Sequence, residues 1–152
     1  MCVVIDTCCL ISVFDRGNED HMAFAPVLEW INSGKGRMIY GGTKYKAELA
    51  KVKRMLPILV ELRRAQRATN VDDSRVDQIE KELITNFVDP KFNDQHLVAV
   101  VIVSRCRVVC TLDKVATAYL KRADLFRTYR VKRPKIYRSR RNKNLCCDRN
   151  LI

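Results

Sequence analysis

The sequence predicts an α/β domain in which a parallel central sheet is flanked by helices. Short, uninterrupted apolar runs rich in β-branched residues are typical of strands buried on both faces, and Cys2–Ile5 and Arg107–Thr111 contain such runs. Segments with apolar residues at helical spacing, such as His21–Ile31, lie between them. Strands that alternate with helices indicate a parallel sheet, and 152 residues suit one domain.

The first part of the chain is predicted to form two strands with helical structure between them. Cys2–Ile5 is the first strand, and Thr7–Phe14 starts a helix or turn where that strand ends. The helix His21–Ile31 is stopped by Asn32-Ser33-Gly34, and Arg37–Tyr40 is the second strand.

The middle of the chain is predicted to be helical throughout. Thr43 is a candidate N-cap for a helix that carries Glu48. Two longer helices, Met55–Ala68 and Asp72–Phe87, are predicted to follow, joined near Asn70.

Whether Leu97–Val103 is predicted to be a strand or a helix depends on the residues that precede it. Its β-branched composition favours a strand, whereas Asn93 is a good N-cap and would place Asp94 in the first turn of a buried helix. We predict the helix. After the strand at 107–111, the segment Asp113–Arg122 is predicted to be helical and Lys135–Arg138 to be an edge strand.

The positive charge of the chain is concentrated near its C-terminus. The formal net charge is +12, and the segment from Lys121 to Ile152 holds 12 Lys or Arg against two Asp, so it carries +10. We expect this segment to bind the phosphate backbone of a nucleic acid; a solvated tail, or docking of an acidic protein, is the alternative. We divide the chain into a domain, 1–138, and a basic tail, 139–152. The expected nucleic-acid contacts are Arg127, Arg130, Lys132, Arg133, Lys135, Arg138, Arg140, Arg141 and Lys143.

Four acidic residues stand at positions where a carboxylate is costly to desolvate. Asp6 and Asp113 follow apolar strands, Asp94 opens an apolar helix, and Glu48 lies within a helix. Carboxyl ends of parallel strands are where binding sites form in open sheets. If the four converge, a divalent cation would relieve their repulsion, and oxygen ligands suit Mg²⁺ or Mn²⁺.

The order and settings of these acids resemble those of the PIN-domain nucleases, including the small VapC-like toxin ribonucleases. The matching stretches are Val3–Thr7, Glu48 on its helix, Asn93–Ala99 and Thr111–Asp113. The glycine that often precedes the last strand is missing, as is the aromatic that often follows the last Asp. These departures leave the acids intact but obscure the subfamily and thus the substrate.

The resemblance implies a PIN-like three-layer fold and a divalent-metal-dependent endoribonuclease that hydrolyses RNA phosphodiester bonds. In this interpretation Asp6, Asp94 and Asp113 bind the metal, and Glu48 completes the site or orients the attacking water. It also implies the toxin of a toxin–antitoxin pair, with an antitoxin protein as partner and a homodimer as the expected assembly. The alternatives are an RNA-processing or defence nuclease, or a catalytically silent RNA-binding module.

Each candidate site residue also has an ordinary structural interpretation. The three aspartates could cap the helices that follow them, and Glu48 could pair with Lys44 or Lys51 at the surface. Thr7 and Thr111 flank two of the acids, so their hydroxyls could orient a carboxylate, or they could reflect strand propensity and capping alone. His96 is a minor candidate for a catalytic role.

Cysteine usage and hydropathy indicate a cytoplasmic protein. Seven cysteines without paired CxxC spacing argue against a structural zinc site, and we expect all seven to be reduced thiols. The longest apolar run, Leu97–Val103, is too short to cross a bilayer, and the first residues lack the features of a secretory signal. We therefore expect no membrane association.

Overall fold

A computed structural model describes residues 1–147 and contains a five-stranded, all-parallel sheet flanked by helices. The α/β class and the parallel sheet predicted from the sequence are confirmed. The strands are β1 (Cys2–Ile5), β2 (Arg37–Tyr40), β3 (Ala68–Asn70), β4 (Val108–Cys110) and β5 (Lys135–Tyr137). The helices are α1 (Leu10–Phe14), α2 (His21–Asn32), α3 (Thr43–Lys51), α4 (Met55–Arg64), α5 (Asp73–Asn86), α6 (Gln95–Ser104), α7 (Lys114–Leu120) and α8 (Ala123–Arg127), with 3₁₀ helices at Thr7–Cys9 and Arg140–Leu145.

The strand order β3-β2-β1-β4-β5 places a topological switch point between β1 and β4. The chain runs from β1 outward to β2 and β3, and then returns to the other side of β1 to form β4 and β5. Val3 pairs with Val108 and Ile5 with Cys110, so the two central strands end side by side. In open parallel sheets, the crevice for a ligand forms at the carboxyl ends of the strands at such a point.

The two faces of the sheet are buried against different helices. In β1, the side chains of Val3 and Ile5 join one hydrophobic cluster, which includes residues of α1, α2 and α4. Val4, which points to the other face, joins a second cluster with residues of α5, α6 and α7. The sheet is therefore the middle of three layers, and the continuous apolar sequence of β1 follows from burial on both sides.

The structure corrects several boundaries in the middle of the chain. The predicted helix Met55–Ala68 ends at Arg64, a turn with Gln66 at φ 58° follows, and β3 pairs with β2. A three-residue edge strand is too short to show a sequence period, which is why it was missed. The N-caps lie one residue away from the predicted Thr43 and Asn93, at Gly42 and Asp94. The edge strand predicted at 135–138 is confirmed as Lys135–Tyr137.

The described part of the predicted tail is folded onto the domain. Ser139 caps the 3₁₀ helix Arg140–Leu145, and the side chains of Leu145 and Cys146 pack against the cluster that contains α2. The hydroxyl of Tyr137 donates to the carbonyl of Ala23 in α2 at 2.8 Å. Residues 139–147 are therefore not a free tail, and residues 148–152 lie outside the described part of the chain.

Two further predictions concern the cysteines and the membrane. The structure joins Cys2 to Cys106 as a disulfide, with the two Cα atoms 5.7 Å apart, so the expectation of seven reduced thiols is wrong for this pair. The disulfide links the start of β1 to the turn before β4. Within residues 1–147, each helix is too short or too polar to cross a bilayer.

Gly42, which precedes α3, is expected to be intolerant of any side chain. Its φ is 85°, and an added Cβ would lie 2.5 Å from Cγ1 of Val76. Gly34 is a matched control because its φ is 79° and an added Cβ would meet nothing within 4 Å. We expect Gly34→Ala to cost about 1–2 kcal/mol through backbone strain, and Gly42→Ala to cost a further 1–3 kcal/mol, roughly, through the clash. Urea unfolding of both variants measures the difference; equal losses would contradict the packing described here.

Candidate functional site

The four acids lie at the carboxyl-end edge of the sheet, around the switch point. Asp6 directly follows β1, and Asp113 lies three residues beyond the end of β4 as the N-cap of α7. Asp94 is the N-cap of α6, and Glu48 is in the last turns of α3. Hydrogen bonds through Thr111 link Asp6 with Asp113, and the charges of these two residues act on Asp94.

Thr111 links Asp6 to Asp113 across the ends of the two central strands. Its hydroxyl donates to Asp6 Oδ2 at 2.8 Å, and its Oγ1 accepts a hydrogen bond from the backbone N–H of Asp113 at 3.1 Å. Thr111 is fully buried and Asp6 is 8% exposed, so the contact is shielded from water. A hydrogen bond to a carboxylate in such a place fixes its orientation.

Glu48 is held from two sides by residues outside its own helix. Thr7 donates its hydroxyl to Glu48 Oε2 at 3.0 Å, and His96 Nε2 lies 3.1 Å from the same oxygen. Neither of the predicted surface pairs is present, since Lys44 instead donates from Nζ to the carbonyl of Asn93 at 2.9 Å. Glu48 is therefore a positioned carboxylate rather than a partner of surface lysines.

The pKa of Asp94 indicates that the negative charges of the acidic cluster are not neutralised. Its Oδ2 is buried and has no hydrogen-bond partner within residues 1–147. Burial raises the pKa of its carboxyl, and the negative charges of Asp113 and Asp6 raise it further, against smaller opposing effects from His96 and Lys44. Asp94 and the two other aspartates are thus close enough to disfavour their joint ionisation.

Tyr45 was not identified from the sequence, and His96 was only a minor candidate there. Tyr45 is fully buried, and its hydroxyl donates to the carbonyl of Ile5 at 2.6 Å. Burial raises its pKa, with added contributions from the charges of Asp6 and Glu48. His96 is only 3% exposed, and its Nδ1 has no partner within the part of the chain described. Tyr45 precedes Glu48 by three residues, a spacing that shares one helix face and was the only available signal.

Asp113 combines a capping role with a place in the cluster. Its Oδ1 accepts hydrogen bonds from the backbone N–H groups of Val115 at 2.8 Å and Ala116 at 3.1 Å. The capping interpretation is therefore correct for this residue. The caps use one carboxylate oxygen, and the charge of Asp113 still raises the pKa of Asp94.

The donors of this cluster suit a hard divalent cation. In the described part of the chain, no three or more His, Cys, Asp or Glu side chains are arranged to hold a metal ion as they stand. The chemistry of the donor set nevertheless fits, because four carboxylates supply oxygen ligands of the type that Mg²⁺ and Mn²⁺ prefer. A cation would neutralise the charge that raises the pKa of Asp94, and it would give a partner to the buried Oδ2, which has none within residues 1–147.

The basic residues predicted to bind nucleic acid fall into two groups at opposite ends of the sheet. One group lies around the amino ends of β4 and β5, because Lys135 pairs with Val108 at the start of both strands. It contains Arg127, Arg130, Lys132, Arg133 and Lys135. The other group follows the carboxyl end of β5 and runs along α2. It contains Arg138, Arg140, Arg141 and Lys143.

Only the second group starts at the same edge of the sheet as the acids. Arg138 directly follows β5, and Arg140 donates from Nη1 to the carbonyl of Met22 at 3.4 Å. The basic segment near the C-terminus therefore contributes to two separate surfaces.

No protein-family profile, no curated protein and no solved structure matches this chain.

Proposed function

We propose that the chain is a divalent-metal-dependent endoribonuclease with a PIN-like fold. The observation that carries the proposal is that Asp6, Asp94 and Asp113 lie at the switch point, where the charges of Asp6 and Asp113 help to raise the pKa of the half-buried Asp94 carboxyl. Its buried Oδ2 has no hydrogen-bond partner within residues 1–147. Apart from the capping of α7 by Asp113, such a cluster is unfavourable without a cation, since like charges destabilise one another. The choice of RNA over DNA rests on the resemblance in sequence.

In this proposal Asp6, Asp94 and Asp113 hold Mg²⁺ or Mn²⁺, which would supply Lewis-acid stabilisation of the charge that develops on the phosphate. Thr111 fixes the orientation of Asp6 and, through the Asp113 backbone, the distance between two of the carboxylates. Tyr45 anchors α3 to the end of β1, which sets the depth of Glu48 in the site.

Glu48 is the residue best placed to orient the attacking water. Thr7 and His96 both contact Oε2 of Glu48, and neither of these two contacts involves Oε1. A carboxylate fixed in this way can accept a hydrogen bond from a water molecule and hold it in line with the phosphorus. Lys114, exposed at the first position of α7 beside Asp113, is a candidate for contact with a phosphate oxygen.

The test is incubation of a labelled single-stranded RNA with the protein in Mg²⁺, in Mn²⁺ or in EDTA, followed by mapping of new 5′ ends. We expect internal cleavage with either cation and none in EDTA, because the proposed mechanism requires the cation. The same sequence as single-stranded DNA separates ribonuclease from general nuclease activity. Binding without cleavage under every condition would favour a catalytically silent RNA-binding module.

The assembly and the biological role remain part of the same proposal. The resemblance suggests a toxin with an antitoxin partner and a homodimer, with an RNA-processing or defence nuclease as the alternative. Exposed apolar side chains lie on α4, at Leu56 and Val60, and near the end of α5, at Ile84 and Val88. We expect a second copy or an antitoxin to bind these surfaces. Light scattering of the purified protein measures its molar mass and so tests for the homodimer.

A further inference from the structure

A large basic groove lies at the end of the sheet opposite the acids. Its volume is about 790 Å³, and it is formed by the turn before β4 together with α8 and the loop that leads to β5. Its cationic lining residues are Arg107, Arg127, Arg130, Lys132, Arg133 and Lys135. Arg107 was not among the residues singled out from the sequence, since it lies outside the basic segment.

The groove is built on an anchored loop. Arg130 adopts φ 55°, and the backbone N–H groups of Arg130 and Val131 donate to the carbonyls of Arg127 and Phe126, which reverses the chain after α8. The side chain of Val131 packs against the cluster on that face of the sheet. The cations are therefore held around a concavity that is built on an anchored loop.

Three cations of the groove, Arg107, Arg127 and Lys132, have no ion-pair partner within the described part of the chain. No acidic residue among residues 1–147 lines the groove. Asp124, the acidic residue on α8, is paired with Arg122 at 2.6 Å.

Arg107 supplies a second observation that points to a ligand. Its Nε is buried and has no hydrogen-bond partner in the part of the chain that the structure describes. A buried guanidinium nitrogen without an acceptor is costly, and an oxyanion that enters the groove would satisfy it. Guanidinium groups match phosphate oxygens with paired hydrogen bonds, so a row of arginines favours phosphate over an isolated carboxylate.

The groove cannot be a wall of the acidic site. Arg107 precedes β4 and Asp113 follows it, so the two residues lie at opposite ends of this strand. The groove faces the amino ends of β4 and β5, whereas the carboxylates lie at the carboxyl ends. A polyanion would be repelled by the metal-free acids but attracted by the groove, so binding there should not require a divalent cation.

We propose that this groove is a second, metal-independent binding site for the phosphodiester backbone of a nucleic acid. This inference rests on the proposed nuclease function, which is what makes RNA the expected substrate. The groove would hold a long substrate at a distance from the bond that is cut. Phosphate contacts position a strand without reading its sequence. RNA and DNA are therefore both expected to bind the groove.

The test measures binding by fluorescence anisotropy in EDTA, where the proposed cleavage cannot occur. The probes are a labelled single-stranded RNA and its DNA counterpart of about 20 nucleotides, longer than most single-strand sites. The groove variant is the triple change Arg107→Gln, Arg127→Gln and Lys132→Gln. The matched control is Lys53→Gln, Arg63→Gln and Arg64→Gln, which removes the same charge around α4, near the opposite edge of the sheet.

We expect the groove variant to bind both probes about tenfold more weakly. If three phosphate contacts are lost, the slope of log affinity against log salt concentration, measured from about 50 to about 200 mM salt, should be shallower by about 2. The control should change little. Equal losses in both variants would show that only net charge matters and would overturn the proposal. If poly-glutamate displaces the probe as well as unlabelled RNA does, the groove serves an acidic protein instead.

Folding of the groove variant is checked by circular dichroism, and the double change Arg127→Gln and Lys132→Gln, at two exposed positions, replaces it if the Arg107 substitution unfolds the protein. Unchanged binding by a folded groove variant would refute the groove, even if RNA cleavage is found. Conversely, lost binding in EDTA would support the groove even if no RNA is ever cleaved.

Discussion

Asp6→Asn protein is expected to remain folded and to lose metal-dependent cleavage of RNA by about two to three orders of magnitude, the range seen when one group that stabilises a transition state is removed. Asparagine preserves the shape of the side chain and can still accept the hydrogen bond from Thr111. It removes the negative charge that the site needs to hold a cation. Initial rates on a labelled RNA, with the melting temperature as a measure of folding, test this expectation.

Asp20→Asn is the control for the Asp6 variant. Asp20 is exposed, and its side chain makes no cap hydrogen bond at the start of α2, so its loss changes net charge by the same amount outside the cluster. We expect this variant to cleave at the wild-type rate. If Asp6→Asn protein also cleaves at that rate, the assignment of the active site is wrong.

Asp94→Asn protein is expected to lose activity to a similar extent and to be more stable than the wild type when metal is absent. The folded-state pKa of Asp94 is raised, so its protonated form is favoured by folding, and ionisation opposes folding. The wild type should therefore lose stability as pH rises above about 4, toward the folded-state pKa. The asparagine variant lacks this loss, and the gap between the two should persist at neutral pH.

Urea unfolding in EDTA at a series of pH values measures this gap. Below about pH 3 both side chains are neutral, so the advantage of the variant should vanish. Asp72→Asn is the matched control, because Asp72 is the N-cap of α5 and lies outside the cluster. It should show no gain at neutral pH. A wild type that is as stable as Asp94→Asn at every pH would contradict the electrostatic description of the site.

The main elements of the fold were predictable because strong local signals agreed with the tertiary structure. The two central strands are apolar without interruption since both faces are covered, and the helical period of α2 and α5 matches their buried sides. β3 was missed because a three-residue strand at the edge is stabilised by its pairing with β2, which no local pattern encodes.

The candidate site was predictable in its acidic residues and in the two threonines that donate to them. Asp6 and Asp113 follow recognisable strands, but the contact of His96 with Glu48 joins residues 48 positions apart. The division of the basic segment into two surfaces could not be predicted from the sequence either, because it depends on where β5 enters and leaves the sheet. Arg107 joins the groove for the same reason: the pairing of β4 with β5 brings it beside a segment that is distant in sequence.

The central claim, that the acids form a cation site, is tested most directly by the melting temperature of the protein as Mn²⁺ is added. A ligand that binds only the folded state stabilises it by about 2.7 kcal/mol at a concentration one hundred times its dissociation constant. We expect a saturable upward shift for the wild type and Asp20→Asn, and little or none for Asp6→Asn and Asp94→Asn. A wild type that does not respond to Mn²⁺, or equal shifts in all four proteins, would contradict the account.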